Sequence, residues 1–194
     1  MEYDLAIDGA PETVPGGTAL LLLHPSIGET DRVDTDFLSA DTDQFLVVST
    51  RTTAREVEQK LDYYDVDESK AVILDTLSIE RGYSRRSAPN IHYAAGPDDI
   101  EGIVEQVEAF LESTEGHRRI TLDSLSELAY YGDEAAALET AERLIELVDA
   151  HDAVCLFHLS SEVHDEDSIA AFAELFDATV RLDDDGNVSY EPRE

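Results

Sequence analysis

The chain has 194 residues, enough for an α/β domain with a full core. It carries 45 acidic against 13 basic side chains, a net charge of -32, yet 42% of it is hydrophobic, which excludes a disordered acidic tail. The same charge argues against a nucleic-acid surface, which needs concentrated basic residues. It also argues against a basic amphipathic membrane helix.

No apolar run approaches the about 18 residues of a transmembrane helix. Met1-Glu2-Tyr3-Asp4 lacks the charge pattern of a signal peptide. These features predict a cytoplasmic protein. The single Cys155 lies in an apolar run, which excludes an intramolecular disulfide and predicts a small buried hydrophobe.

In chain order, Pro15-Gly16-Gly17 is a turn signal before the apolar run Thr18 to Leu23, predicted as a strand buried on both faces. A short helix is expected around Val33 to Leu38. A second buried strand is expected over Phe45 to Ser49. Thr52 or Thr53 then caps a helix with Val57, Leu61 and Tyr64 at helical spacing. Ala71 to Leu74 is a third strand, ending at Asp75; residues 80–90 are an arginine-rich loop; Ile91 to Ala94 is a short strand-like piece.

Pro97-Asp98-Asp99 opens a helix whose face carries Ile103, Val107, Phe110 and Leu111. Arg119 to Leu122 is a strand running into Asp123. A long helix runs from Asp133 to about Ala150, with Ala137, Ala141, Leu144, Ile145 and Val148 facing the core. Ala153 to Leu159 is a further strand, and Asp167 caps a helix through Phe172 and Leu175. Ala178 to Leu182 and Val188 to Tyr190 form a hairpin around Asp185-Gly186-Asn187. Alternating strands and helices predict an α/β fold with a mainly parallel sheet flanked by helices and a C-terminal β-hairpin. With no repeat or linker in the chain, residues 1–194 are expected to form one domain.

Leu23-His24-Pro25-Ser26-Ile27-Gly28-Glu29-Thr30 stands directly after the first buried strand, where a phosphate loop of pattern G-x-x-x-x-G-K-[ST] would stand. Gly28 and Thr30 keep their places; Leu23 replaces the first glycine and Glu29 the lysine. A carboxylate there repels a triphosphate. Ile120-Thr121-Leu122-Asp123 has the form of a Walker B strand. Val47-Val48-Ser49-Thr50 has the form of the strand that carries a catalytic glutamate just beyond it, but no acid follows until Glu56.

In this ordered series, from about Pro15 to Tyr190, the chain resembles the RecA-like ATPases and in particular their KaiC-like branch. The resemblance implies a RecA-like P-loop NTPase fold. It also implies self-assembly as a homo-oligomer, because RecA-like subunits place a ligand at subunit borders. Active relatives bind ATP and Mg²⁺; the eroded motifs here predict no cofactor. The lysine-poor, aspartate-rich composition resembles that of proteins from molar-salt cytoplasms, as in haloarchaea, and the chain is similar to small haloarchaeal proteins with eroded motifs of this kind. An acidic mesophilic protein with a basic partner is the alternative.

Gly28, Glu29, Thr30 and Asp123 are thus a candidate remnant nucleotide site. Backbone amides at a helix N-terminus still bind anions without a lysine, and a plain structural turn is the competing explanation. Arg81, Arg85 and Arg86 gather within six residues of an acidic chain and are a candidate partner- or anion-binding group. Arg118 and Arg119 are read as structural. The six histidines are scattered without metal-ligand spacing, and no catalytic residue or metal site is assigned. The leading functional expectation is a non-catalytic protein that acts through contact with a protein partner in regulation or signalling. The alternatives are an ATPase using Gly28, Thr30 and Asp123 with a substitute arginine, and nucleic-acid binding through the arginine loop.

Overall fold

The buried runs assemble into one sheet with amphipathic helices on both faces. The computed structural model describes residues 1–26 and 29–193. In chain order the elements are β1 (Glu2–Asp4), β2 (Thr13–Pro15), β3 (Ala19–His24), α1 (Thr30–Ser39), β4 (Gln44–Ser49), α2 (Ala54–Tyr63), β5 (Ala71–Asp75), α3 (Leu77–Arg81) and β6 (Ile91–Tyr93). They continue as α4 (Ile100–Ser113), β7 (Arg118–Asp123), α5 (Leu125–Tyr131), α6 (Glu134–Ala150), β8 (Val154–Ser160), α7 (Glu166–Ala173), β9 (Ala178–Leu182) and β10 (Val188–Pro192).

Eight strands lie in the order β10-β9-β3-β8-β7-β4-β5-β6, all parallel except the antiparallel pair β9–β10. Strands β3 and β8 are buried at every position, as a central parallel strand with helices on both faces must be. Their side chains alternate between two cores. Leu21, Leu46, Ile120 and Phe157 pack beneath α4 to α7, while Leu20, Phe45, Val154 and Leu156 pack beneath α1 and α2. The expected turn before β3 is used in full. The Gly16 and Gly17 amides donate to the Met1 and Ala153 carbonyls, each at 2.7 Å, and Gly17 holds φ at +90°. A Cβ on Gly16 would stand 2.6 Å from the Asp152 carbonyl, so only glycine fits.

Several element boundaries differ from the expectation. Strands β1 and β2 form a separate two-stranded sheet that the sequence pattern did not reveal. The Tyr3 hydroxyl donates to the Asp152 carbonyl (2.8 Å) and accepts from the Arg118 amide (3.2 Å), so this hairpin is held by distant partners. Helix α3 occupies part of the expected loop. Pro97 lies outside α4, because Asp99 is the residue whose carboxylate accepts the Gly102 amide (3.1 Å). Asp165 rather than Asp167 caps α7, accepting from the Ser168 amide at 2.8 Å. Tyr64 is the exposed C-cap of α2 and not part of its buried face. Thr53 is the cap at the other end, in a capping box with Glu56.

Arg118 donates to the Leu111 and Thr114 carbonyls at the end of α4 (2.8 and 3.1 Å) and also reaches the His151 carbonyl after α6. It satisfies two helix C-termini at once. Arg119 is fully buried, paired with Asp41 and set over the rings of Tyr3 and Phe37 at 5.4 and 5.1 Å.

Candidate functional site

Strand alternation decides which polar groups meet. In β3 the even-numbered residues face α1, and so do those of β8; Leu22 pairs with His158, and His24 with Ser160. In β7 it is the odd-numbered residues that face α1, which puts Asp123 on the same side. Thus His24, His158 and Asp123 gather beneath α1 toward the carboxyl ends of β3, β8 and β7. That is the end of an open α/β sheet at which ligands bind.

An alternating chain of charge fills this region. The Lys60 ammonium, carried by α2, lies 3.1 Å from Asp34 and 3.5 Å from Asp31 on α1. The other oxygen of Asp34 meets His158 Nε2 at 2.6 Å. His158 Nδ1 faces Asp123 Oδ1 at 3.8 Å, and Asp123 Oδ2 accepts from Arg51 Nη2 at 2.9 Å. Three cations (Lys60, His158 and Arg51) therefore stand against three carboxylates (Asp31, Asp34 and Asp123).

The protonation states follow from burial and neighbours. Burial alone would lower the His158 pKa, but Asp34 and Asp123 outweigh it and raise it, which favours the charged ring. Burial would raise Asp34; His158 and Lys60 outweigh it and hold the carboxyl well below its usual range. Lys60 is likewise raised, because Asp34 and Asp31 overcome its desolvation. His24, edge-on to His158 with ring centroids 5.2 Å apart, is lowered by burial and then by that neighbouring cation. Its Nδ1 donates to the Pro25 carbonyl at 2.7 Å, which leaves Nε2 unprotonated. Among the described residues, His24 Nε2, His158 Nδ1 and Asp123 Oδ1 are buried without a hydrogen-bond partner.

Beside this chain, the Ser126 hydroxyl accepts from the Ser160 amide at 2.9 Å and lies 2.9 Å from His164 Nε2. His164 is lowered by burial, which favours the neutral ring beside this hydroxyl. Glu56, the first acid after β4, is turned back onto its own helix, where it accepts from the Thr53 amide and hydroxyl, each at 2.8 Å.

The sequence-derived residues are distributed as follows. Gly28 lies outside the described residues. Glu29 is exposed and lines a small cavity of about 140 Å³ with Ile7, Arg32 and Val188. Thr30 is the buried first residue of α1. Asp123 is bound by Arg51; it does not cap α5, which is capped by Ser124 accepting from the Glu127 amide. Arg81 donates to the Tyr131 hydroxyl at 2.8 Å, whereas Arg86 pairs with Glu58, so the arginine group is divided between two places. Arg85 and Arg86 line a cleft between α2 and β6.

Asp34, Lys60 and Arg51 were given no role from the sequence, and His158 was one of the six histidines set aside there for lack of metal-ligand spacing. One signal was present: a histidine inside a strand buried on both faces requires a polar partner. The partner itself, on a helix 124 residues away, was not readable.

The layered sheet and the site at its carboxyl edge define a protein with a RecA/KaiC-like fold. A KaiC-like protein of the hyperthermophilic archaeon Pyrococcus horikoshii OT3 superposes with a TM-score of 0.68 at 14% identity, covering 99% of this chain and 86% of that one. A second P. horikoshii OT3 protein gives 0.64 at 10% identity, covering 91% and 87%. A prototypical ATPase from the type III secretion system of pathogenic bacteria gives 0.66 at 12% identity; the match covers 95% of this chain but only 57% of that ATPase. The chain belongs to a family of unknown function, DUF7090, whose model matches residues 1–192. No curated protein matches it.

Proposed function

We propose that this protein is a non-catalytic member of the RecA/KaiC-like fold that acts through contact with a protein partner, in regulation or signalling. The observation that carries the reading is the 2.9 Å ion pair between Arg51 and Asp123. It sets a cation on the carboxylate that the Walker B resemblance would assign to Mg²⁺, and that cation comes from the loop where a catalytic glutamate would be sought. With Glu29 in the lysine position, the residues present do not fit ATP–Mg²⁺. Lys60, the lysine nearest this region, is already matched by two carboxylates.

The contact part of the proposal is supported by exposed aromatic surface. Tyr130 is 79% exposed and meets Tyr131 edge-on, Tyr131 holds Arg81, and Ile79 and Tyr83 flank Arg81 in sequence, both exposed. Tyrosine and arginine are enriched at protein interfaces. No helix among the described residues is long and apolar enough to cross a membrane. A cytoplasmic setting at high salt is the environment that best suits the charge of -32.

Isothermal titration with ATP–Mg²⁺ in molar potassium chloride, with phosphate release measured alongside, tests the reading. The expected result is neither heat of binding nor turnover. Micromolar binding with turnover overturns it in favour of a divergent ATPase.

A further inference from the structure

The distribution of cations points to a second, separate site. Of the 13 basic side chains, eleven have a hydrogen bond or an ion pair within the described residues. The two without one are Arg55 and Arg85, although the chain offers 45 carboxylates. Both line the same cleft, a cavity of about 760 Å³ between α2 and the segment leading into β6. That volume is in the range of small-ligand sites.

Local stability does not account for either arginine. Arg55 lies in the first turn of α2, where the helix dipole disfavours a cation. Arg85 is exposed on its loop and engages none of the acids that line the same cleft. The remaining charges of the cleft are partly settled. Glu58 is neutralised by Arg86, and Asp75 is saturated by the Ala54, Leu77 and Ser78 amides and the Ser78 hydroxyl. Asp62 and Glu68 line the same cleft as unengaged acceptors, and Ile91 supplies apolar surface.

We infer that this cleft binds a small organic dianion, a phosphomonoester or a dicarboxylate, held by the guanidinium groups of Arg55 and Arg85. Two planar forks match a dianion, since arginine binds carboxylate and phosphate bidentately. The facing Asp62 and Glu68 select a ligand that also carries hydroxyl or amino donors. The site is distinct from the ion chain at Asp123, and its occupancy does not depend on whether that region binds ATP.

Glycerol 3-phosphate and malate, titrated separately in molar potassium chloride and followed by calorimetry and saturation-transfer NMR, distinguish the two sources of dianion. Saturable binding of one of them is expected, weakened at least tenfold in both Arg55→Gln and Arg85→Gln. Arg32→Gln, at an exposed arginine paired with Asp36, is expected to leave it unchanged. Arg55 and Arg85 hold no contact that folding requires, so unchanged melting temperatures accompany the loss. Absence of saturable binding by either probe, or binding indifferent to both substitutions, overturns the inference.

Discussion

A histidine buried away from water takes its charge state from the groups packed against it, and His158 is governed by two carboxylates. Its raised pKa has a defined consequence for stability. A group whose folded pKa lies above its unfolded value contributes most below the unfolded pKa, near 6.5 for histidine. That contribution is lost as pH rises through the folded value. Asp34 acts in the opposite sense: its pKa is lowered, so its contribution is present above about 4 and is lost as pH falls through the folded value. His24, lowered by burial, adds a further loss below about 6.5. His158→Gln should therefore lose most stability near pH 6, by about 1.5–3 kcal/mol as for a lost hydrogen bond to a charged group, since Lys60 still neutralises Asp34, and progressively less at alkaline pH. Urea denaturation of both proteins across that range checks this; a pH-independent difference would show that the ring is not held as a cation.

Among the elements, α2 joins the two candidate sites, since it carries Lys60 into the ion chain and Arg55 into the arginine cleft. Its start is fixed by the reciprocal pair of Thr53 and Glu56, with Asp75 accepting the Ala54 amide at 2.7 Å. Thr53→Ala should cost about 1 kcal/mol. In a chain of this length that is a fall of about 2–4 °C in melting temperature, measurable by calorimetry. Glu56→Gln, which keeps an acceptor at the same place, should cost less. Equal losses in the two variants would count against a capping role for the threonine hydroxyl. The hairpin of β1 and β2 is the element that sequence patterning misses. Each strand has three residues, too short for an alternation to register, and its anchors Asp152 and Arg118 are more than a hundred positions away.

At the scale of the molecule, self-repulsion from a net charge of -32 opposes compactness. Screening reaches about 10 Å at 0.1 M salt and about 3 Å at 1 M, so exposed like charges are relieved while the buried chain from Lys60 to Arg51 is little affected. The melting temperature should rise steadily between dilute buffer and molar potassium chloride, and His158→Gln should rise in parallel with the parent protein. A melting temperature that is flat or falls with salt would remove the support for a high-salt setting.

The parallel sheet was legible in the sequence alone, because Leu20 to Leu23, Phe45 to Val48 and Val154 to Leu159 are short, largely apolar runs alternating with helical patterns, and so was the closing hairpin, because Asp185-Gly186-Asn187 marks its turn. The sequence also determined the excess of carboxylates over cations, which is a matter of residue identity. Only the tertiary structure decided that Asp123 is held by Arg51, that Asp34 and His158 share a buried ion pair, and that Arg55 joins Arg85 while Arg81 turns away to Tyr131. These are contacts across strand register and helix packing, where a pairing depends on which face each side chain meets, and periodicity along the chain carries no record of the partner.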